Sequence, residues 1–241
     1  MFDHVTIRVS DRNASSRFYD TVLGVLGLER RSAGPWLEWG DFSISDASDE
    51  HPVTRRLHIA FHAASRELVE EFWRAGTAAG FRDDGAPGPR PQYTPGYYGA
   101  FLLDPDGNSV EAVNHEQPRR GSIDHLWIRV RDLDAARRFY ETIAAPSGLE
   151  PYGRHRYGYG FDGPDGSFSL IEGEPTEHVH LAFPASDDAT VDAFHARAVA
   201  AGYRDNGGPG ERPIYHPGYY GAFVLDPDGN NVEVVNHNRS A

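Results

Sequence analysis

The sequence predicts an α+β protein built as a tandem repeat, each repeat composed of two βαβββ modules. Three observations predict it. First, the run from Tyr93 to His115 returns as the run from Tyr215 to His237, changed only at Thr94/His216, Leu102/Val224, Ser109/Asn231 and Ala112/Val234. Second, the openings match, with Asp3-His4-Val5, Arg8 and Phe18-Tyr19 answered by Asp124-His125-Leu126, Arg129 and Phe139-Tyr140. Third, each repeat shows the pattern strand, helix, three short strands twice over. A chain of 241 residues then divides into two domains of ordinary size, each able to bury a core. The expected bounds are 1–116 and 122–241, joined by a Pro- and Arg-containing linker at 117–121.

The elements follow from local pattern. Phe2 to Val9 alternates, with Asp3, Val5, Ile7 and Val9 on one side and Phe2, His4, Thr6 and Arg8 on the other, a strand signal. Asp11 or Asn13 caps the next helix, whose apolar stripe is Phe18, Val22 and Leu23. Short strands are expected at Leu28–Arg31, Trp36–Trp39 and Phe42–Ser45, separated by Gly-Pro and Gly-Asp breaks. The order restarts with a strand at Arg56–Phe61 and a helix from Ser65 to Gly80, with Leu68, Phe72 and Ala75 inward. Strands at Phe81–Asp83, Tyr97–Leu103 and Ser109–Val113 complete the module, the last two joined by the turn Asp104-Pro-Asp-Gly-Asn108. The second repeat follows the plan with strand Ile123–Val130, helix Leu133–Thr142 and short strands to Ile171. Strand His178–Phe183, helix Thr190–Gly202 and a final hairpin about Asp226–Asn230 close it.

Composition narrows the chemistry. A formal charge of −13 and a pI near 5.3 argue against nucleic acid or an anionic membrane surface as partner. No apolar run approaches a membrane span, and Met1-Phe2-Asp3 leads into a strand rather than a signal sequence, so a cytoplasmic protein is expected. The absence of cysteine excludes disulfides, thiolate metal sites and a cysteine nucleophile. All 23 basic residues are arginine, which excludes Schiff-base catalysis and a P-loop lysine. Arginine-only usage with abundant Ala, Gly and Pro suits a high-GC bacterial genome.

Three residues of metal-ligand type are kept in both copies: His4/His125, His58/His180 and Glu111/Glu233. Each sits within a strand among apolar neighbours. Leu57, Ile59 and Phe61 occupy the face opposite His58, and Val110 and Ala112 the face opposite Glu111. Two imidazoles and one carboxylate leave coordination positions open, an arrangement suited to Fe(II), Mn(II) or a similar divalent ion with substrate bound directly. Zinc with water is less characteristic of it. A single strand histidine is ordinarily a hydrogen-bonded structural residue. Retention of all three in both copies, while His62 becomes Pro184 and His51, His155 and His195 have no counterpart, favours a metal site.

A first-strand Asp-His, a mid-domain His in an apolar strand, and Tyr-Tyr-x-Ala-Phe-x-x-Asp-Pro-Asp-Gly-Asn-x-x-Glu together resemble the vicinal oxygen chelate superfamily. That group includes glyoxalase I, bleomycin-resistance proteins, fosfomycin-resistance enzymes and type I extradiol dioxygenases. The resemblance spans both repeats. It implies paired βαβββ modules forming a cup around a divalent metal (Fe, Mn, Zn or Ni) that chelates vicinal oxygens of a small-molecule substrate. It also implies pairing of the two repeats as a pseudo-dimer, with a homodimer compatible. The implied ligands are His4, His58 and Glu111, and His125, His180 and Glu233. Glyoxalase-like members add a fourth ligand from the last strand of the first module. Here that stretch ends at Asp46 and Glu172 with no glutamate in register, so a three-ligand site fits better. Ligands grouped as His4, His58 and Glu111, or as His4, His180 and Glu233, satisfy the sequence equally.

Around such a cup, Tyr97/Tyr219 and Tyr98/Tyr220 alternate, so one of each pair faces the site; Tyr98 and Tyr220 are the expected catalytic hydroxyls, with Glu111 and Glu233. Arg8 and Arg129, two positions beyond Thr6 and Trp127 on the histidine face, and Arg90 and Arg212, in the loop Pro-Arg-Pro-x-Tyr, are expected to hold an anionic substrate group. His115 and His237 follow the glutamates by four residues. The leading functional expectation is a metal-dependent lyase, isomerase, dioxygenase or resistance-type transferase. The alternative is a metal-free protein that sequesters an antibiotic, in the manner of bleomycin-resistance proteins.

Overall fold

Four consecutive βαβββ modules run along the chain. A computed structural model describes residues 1–115, 121–163 and 165–238. The expected linker therefore lies, apart from Gly121, outside the described residues. The first module contains β1 (His4–Val9), α1 (Arg12–Val25), β2 (Arg31–Ala33), β3 (Trp36–Trp39) and β4 (Phe42–Asp46). The second contains β5 (His58–His62), α2 (Arg66–Ala78), β6 (Arg82–Pro89), β7 (Tyr98–Leu103) and β8 (Ser109–Asn114). In the third, β9 (Ile123–Val130) and α3 (Leu133–Ile143) lead to β10 (Glu150–His155), β11 (Gly158–Gly163) and β12 (Gly166–Glu172). The fourth is β13 (His180–Pro184), α4 (Asp188–Ala200), β14 (Arg204–Glu211), β15 (Tyr220–Leu225) and β16 (Asn231–Asn236).

The chain forms two compact units, one of residues Thr6–Trp127 and one of Met1–Val5 with Ile128–Ala241. Strands β1 and β9 each pass from one unit into the other. Within the unit 6–127 the strand orders are β9-β5-β8-β7-β6 and β1-β4-β3-β2. Within the second unit they are β14-β15-β16-β13-β1 and β10-β11-β12-β9. The first strand of each repeat therefore lends its N-terminal end to the unit built mainly from the other repeat.

Helix starts follow side-chain caps. Asp11 accepts from the backbone N–H of Asn13 and Ala14 to begin α1, and Ser65 accepts from Leu68 to begin α2, satisfying donors that no helical carbonyl reaches. The buried stripe of α1 includes Phe18, Tyr19, Val22 and Leu23. In α2 the inward residues are Val69, Phe72 and Gly76, a stripe rotated by one position from the one expected. Tyr19 meets Trp39 and Phe42 at ring distances of 5.6 and 4.7 Å, and Phe42 meets Phe61 at 5.5 Å. The other unit repeats the scheme, with Phe139 on Tyr203 and Tyr140 on Phe168, each at 4.8 Å.

Strand β6 is longer than expected from its Gly- and Pro-rich sequence. It pairs with β7 from Arg82↔Leu103 to Pro89↔Tyr98, with register shifts at Asp83/Gly85 and Gly85/Gly88. Gly85 has φ of 158°, and a Cβ there would press on the Phe101 ring at 2.9 Å. Its missing side chain is what lets β6 pass over Phe101.

Candidate metal centres

The centre of the unit 6–127 is assembled by β5 and its two neighbours. Strand β5 pairs in parallel with β8, placing Ala60 opposite Glu111, and antiparallel with β9, placing Ala60 opposite His125. His58 lies two residues earlier on the same face, opposite Ser109 and Trp127. The small side chain of Ala60 leaves the space where the flanking ligand atoms meet. Across β7 and β8, Phe101 pairs with Glu111, so Tyr97, Gly99 and Phe101 share the glutamate face.

Three atoms converge there. His58 Nε2 lies 3.2 Å from Glu111 Oε2, His125 Nε2 lies 3.4 Å from the same oxygen, and the two nitrogens are 3.3 Å apart. In the other unit His4, His180 and Glu233 form the same triangle, with edges of 3.6, 3.0 and 3.1 Å. These two clusters are the groups of His, Asp and Glu side chains able to hold an ion among the described residues. Two donors each about 2.1 Å from one ion, with about 90–109° between them, sit about 3.0–3.4 Å apart. The donor set and its spacing fit a divalent ion. Of the two groupings compatible with the sequence, the structure joins His4 with His180 and Glu233, and His125 with His58 and Glu111.

Each donor is oriented from behind. The Tyr97 hydroxyl donates to Glu111 Oε1 at 2.7 Å, and Tyr219 to Glu233 Oε1 at 2.6 Å, leaving Oε2 toward the histidines. His125 Nδ1 lies 2.9 Å from Asp124 Oδ1, whose Oδ2 meets His115 Nε2 at 2.6 Å. His4 Nδ1 lies 2.8 Å from Asp3 Oδ1, whose Oδ2 meets His237 Nε2 at 2.8 Å. A carboxylate that accepts the Nδ1 proton leaves Nε2 with a lone pair for an ion. The β5–β9 register skips Asp124, since Ala60 faces His125 and Phe61 faces Ile123; the bulge re-aims the Asp124 carboxylate toward the ring of the next residue.

Burial sets the electrostatics. Glu111 and Glu233 are each 1% exposed. Burial pushes the Glu111 carboxyl up, but hydrogen bonds and charge from His125 and His58 outweigh it and the net displacement is downward. Burial lowers His125, yet Asp124 and Glu111 raise it to about 9. Burial raises Asp124 and Asp3 as well, and their histidine partners bring both well below the usual carboxylate range. Burial first, then the Glu111 and Glu233 charges, hold the Tyr97 and Tyr219 hydroxyls well above their ordinary value. They are donors, not acids near neutral pH.

The other residues singled out from sequence fall in different places. Tyr98 and Tyr220 lie on the opposite strand face, donating to Glu70 and Asp192 at 2.9 Å; the hydroxyls beside the glutamates belong to Tyr97 and Tyr219. The cause is strand parity. Arg90 and Arg212 stack over Phe101 and Phe223 at 5.6 Å. Those rings lie 6.0 and 6.2 Å from His58 and His180. Arg8 donates to Ser45 Oγ at 2.6 Å within the unit 6–127, whereas its strand neighbour His4 belongs to the other unit. Arg129 is exposed on β9. Asp46 pairs with Arg12 at 3.1 Å, and Glu172 is exposed; neither joins a triplet. Trp127, not singled out as a site residue, lies 5.3 and 5.8 Å from the His58 and His125 rings.

Four βαβββ modules with a His–His–Glu cluster around a buried glutamate in each compact unit define a tandem α+β protein with two ion-capable centres. The chain belongs to the glyoxalase/bleomycin resistance protein/dioxygenase superfamily, whose sequence profile matches residues 1–112 and 122–234. Among solved structures it is similar to glyoxalase I from Zea mays, at 19% identity and a TM-score of 0.67, with 98% of this chain and 92% of that one covered. A mutant of the same maize protein gives 20% identity and a TM-score of 0.70 over 98% and 92% of the two chains. At that identity the likeness concerns the fold. No curated protein matches the chain. Among the described residues, no helix is long and apolar enough to cross a membrane.

Proposed function

We propose that this protein is a divalent-metal-dependent enzyme of the glyoxalase or extradiol dioxygenase type, acting on a small molecule with vicinal oxygens. The observation that supports it is the convergence of two imidazole nitrogens and one carboxylate oxygen in each unit, at edges of 3.0–3.6 Å. His58, Glu111 and His125 would hold one ion, and His4, His180 and Glu233 a second. Such an ion, whether Fe, Mn, Zn or Ni, supplies Lewis-acid stabilisation of negative charge on substrate oxygens.

The protein's own groups do the rest. Tyr97 and Tyr219 hold one carboxylate oxygen of each glutamate, and the catalytic role proposed for Glu111 and Glu233 rests on the other, Oε2. Asp124 and Asp3 fix the ring orientation of His125 and His4. Phe101 and Trp127 give the first centre apolar walls that exclude water and strengthen electrostatic interactions there. Arg90, stacked on Phe101, and Arg212, stacked on Phe223, are the proposed partners of an anionic substrate group. Residues 1–116 and 122–241 remain the proposed domain bounds.

Anaerobic reconstitution with Fe, Mn, Zn, Ni or Mg followed by elemental analysis tests this reading. Two equivalents of one metal per chain, lost in a Glu111→Ala, Glu233→Ala variant together with turnover of a vicinal diol, catechol or α-hydroxy carbonyl, are expected. Tight binding of an aromatic antibiotic with no metal retained would replace the enzyme reading with sequestration.

A further inference from the structure

Resting on the metal-centre reading above, we infer that the two centres are unequal: the one formed by His58, Glu111 and His125 binds a divalent ion more tightly and fills first. The difference lies behind the second histidine of each triplet. The His58 Nδ1–H donates to Ser109 Oγ at 3.2 Å, and the Ser109 hydroxyl donates onward to Asp84 Oδ2 at 2.8 Å. This chain places the ring proton on Nδ1, leaves the Nε2 lone pair toward Glu111, and ends on a carboxylate.

In the other unit both backing residues differ. Asn231 stands where Ser109 does, and Asn206 where Asp84 does. The Asn231 amide N–H donates to His180 Nδ1 at 2.7 Å, and Asn206 donates to Asn231 Oδ1 at 3.0 Å. An Nδ1 that accepts leaves the proton of a neutral imidazole on Nε2, the atom that must face the ion. Binding there requires the proton to move to Nδ1, the Asn231 amide to turn its oxygen to the ring, and Asn206 to turn with it. Among the described residues this chain ends on an amide and not on a carboxylate, so the ring is also a poorer electron donor.

Exposure acts in the same direction. The His125 side chain is 6% exposed and that of His4 28%. Water therefore competes more strongly for an ion at the second centre.

The test uses the full chain stripped with chelator and titrated anaerobically with Co(II), read by visible absorption and calorimetry. Two steps of one equivalent each are expected, at least about tenfold apart, the range by which changes behind a metal-bound histidine shift affinity being about 10–100-fold. Glu111→Ala removes the tight step and Glu233→Ala the weak one. The paired swap Asn231→Ser, Asn206→Asp strengthens the weak step toward the tight one, and Ser109→Asn, Asp84→Asn weakens the tight step. Two equivalents bound with one affinity, or swaps that leave a well-folded protein's affinities unmoved, overturn the inequality and leave the metal reading standing. Absence of any Co(II) binding overturns both.

Discussion

The hydroxyl of Tyr97 donates to Oε1 of Glu111 at 2.7 Å, and both side chains are buried. Tyr219 and Glu233 repeat the contact at 2.6 Å. Removing the donor strands a buried carboxylate oxygen and frees the carboxylate to rotate. Tyr97→Phe is expected to cost about 1–3 kcal/mol in denaturant unfolding. It should also weaken metal binding at that centre about 10–100-fold. Tyr98→Phe, which loses an exposed bond to Glu70, should leave metal affinity unchanged. Equal losses of affinity in the two variants would contradict this.

Gly99 and Gly221 make room for the same oxygen. A Cβ at either position would stand well inside van der Waals contact of Glu111 or Glu233 Oε1. Neither glycine has positive φ, so alanine there is unstrained in its backbone and its effect comes from the contact. Gly99→Ala should displace the carboxylate and cost about 1–3 kcal/mol, with reduced Co(II) binding at the His58 centre only. An unchanged Co(II) spectrum would show that the carboxylate has slack.

Ala60 lies between Glu111 and His125 in register. Ala60→Leu should fill the space where the donor atoms meet and abolish one equivalent of bound metal. Retention of two equivalents would show that the ion sits elsewhere. Ala182, facing Glu233 across β13 and β16, is the corresponding position of the second centre.

In the metal-free protein His125 is raised from 6.5 to about 9. A histidine whose folded value exceeds its unfolded one contributes stability that is fully present below 6.5 and is lost as pH rises through about 9. The magnitude is on the order of 3 kcal/mol, shared with Asp124 and Glu111 as one cluster. Chelator-treated protein should therefore lose stability to urea between pH 6.5 and 9, and His125→Asn should flatten that profile. A rise in stability over the same interval would reverse the assignment.

Tyr19 donates to Asp104 Oδ2 at 2.9 Å, tying α1 to the β7–β8 turn. Tyr19→Phe should destabilise the protein by about 1–3 kcal/mol while both metal equivalents remain. A loss of metal in this variant would mean that the turn positions Glu111 as well.

Much of this was legible from residue order. The repeat, the four modules, strand β9 and the turn Asp104–Asn108 stand in the structure as read. Side-chain periodicity reports the buried face of a regular element, and turn residues report their own backbone needs. Register is what separates Tyr97, on the glutamate side, from Tyr98, which meets Glu70. The turn sets Leu103 opposite Ser109, which pairs odd with odd residues and puts Tyr97 on the Glu111 face, a signal available from the hairpin length. The α2 stripe shifted because packing selected Val69 and Gly76 over Leu68 and Ala75. Strand β6 extends beyond its sequence expectation because Gly and Pro mark a weak strand, and pairing with β7 overrides that preference.

Residue order alone established the module plan, the repeated His–His–Glu triplet and the absence of thiol and lysine side chains, because each is a property of residue type and spacing. The tertiary structure decided which histidine meets which glutamate, which tyrosine holds it, and what stands behind each ring. Strand β5 meets β9 across more than sixty residues of chain, and no local pattern encodes such a pairing. It is set by the burial that the whole sheet achieves, and the ligands follow the strands that carry them.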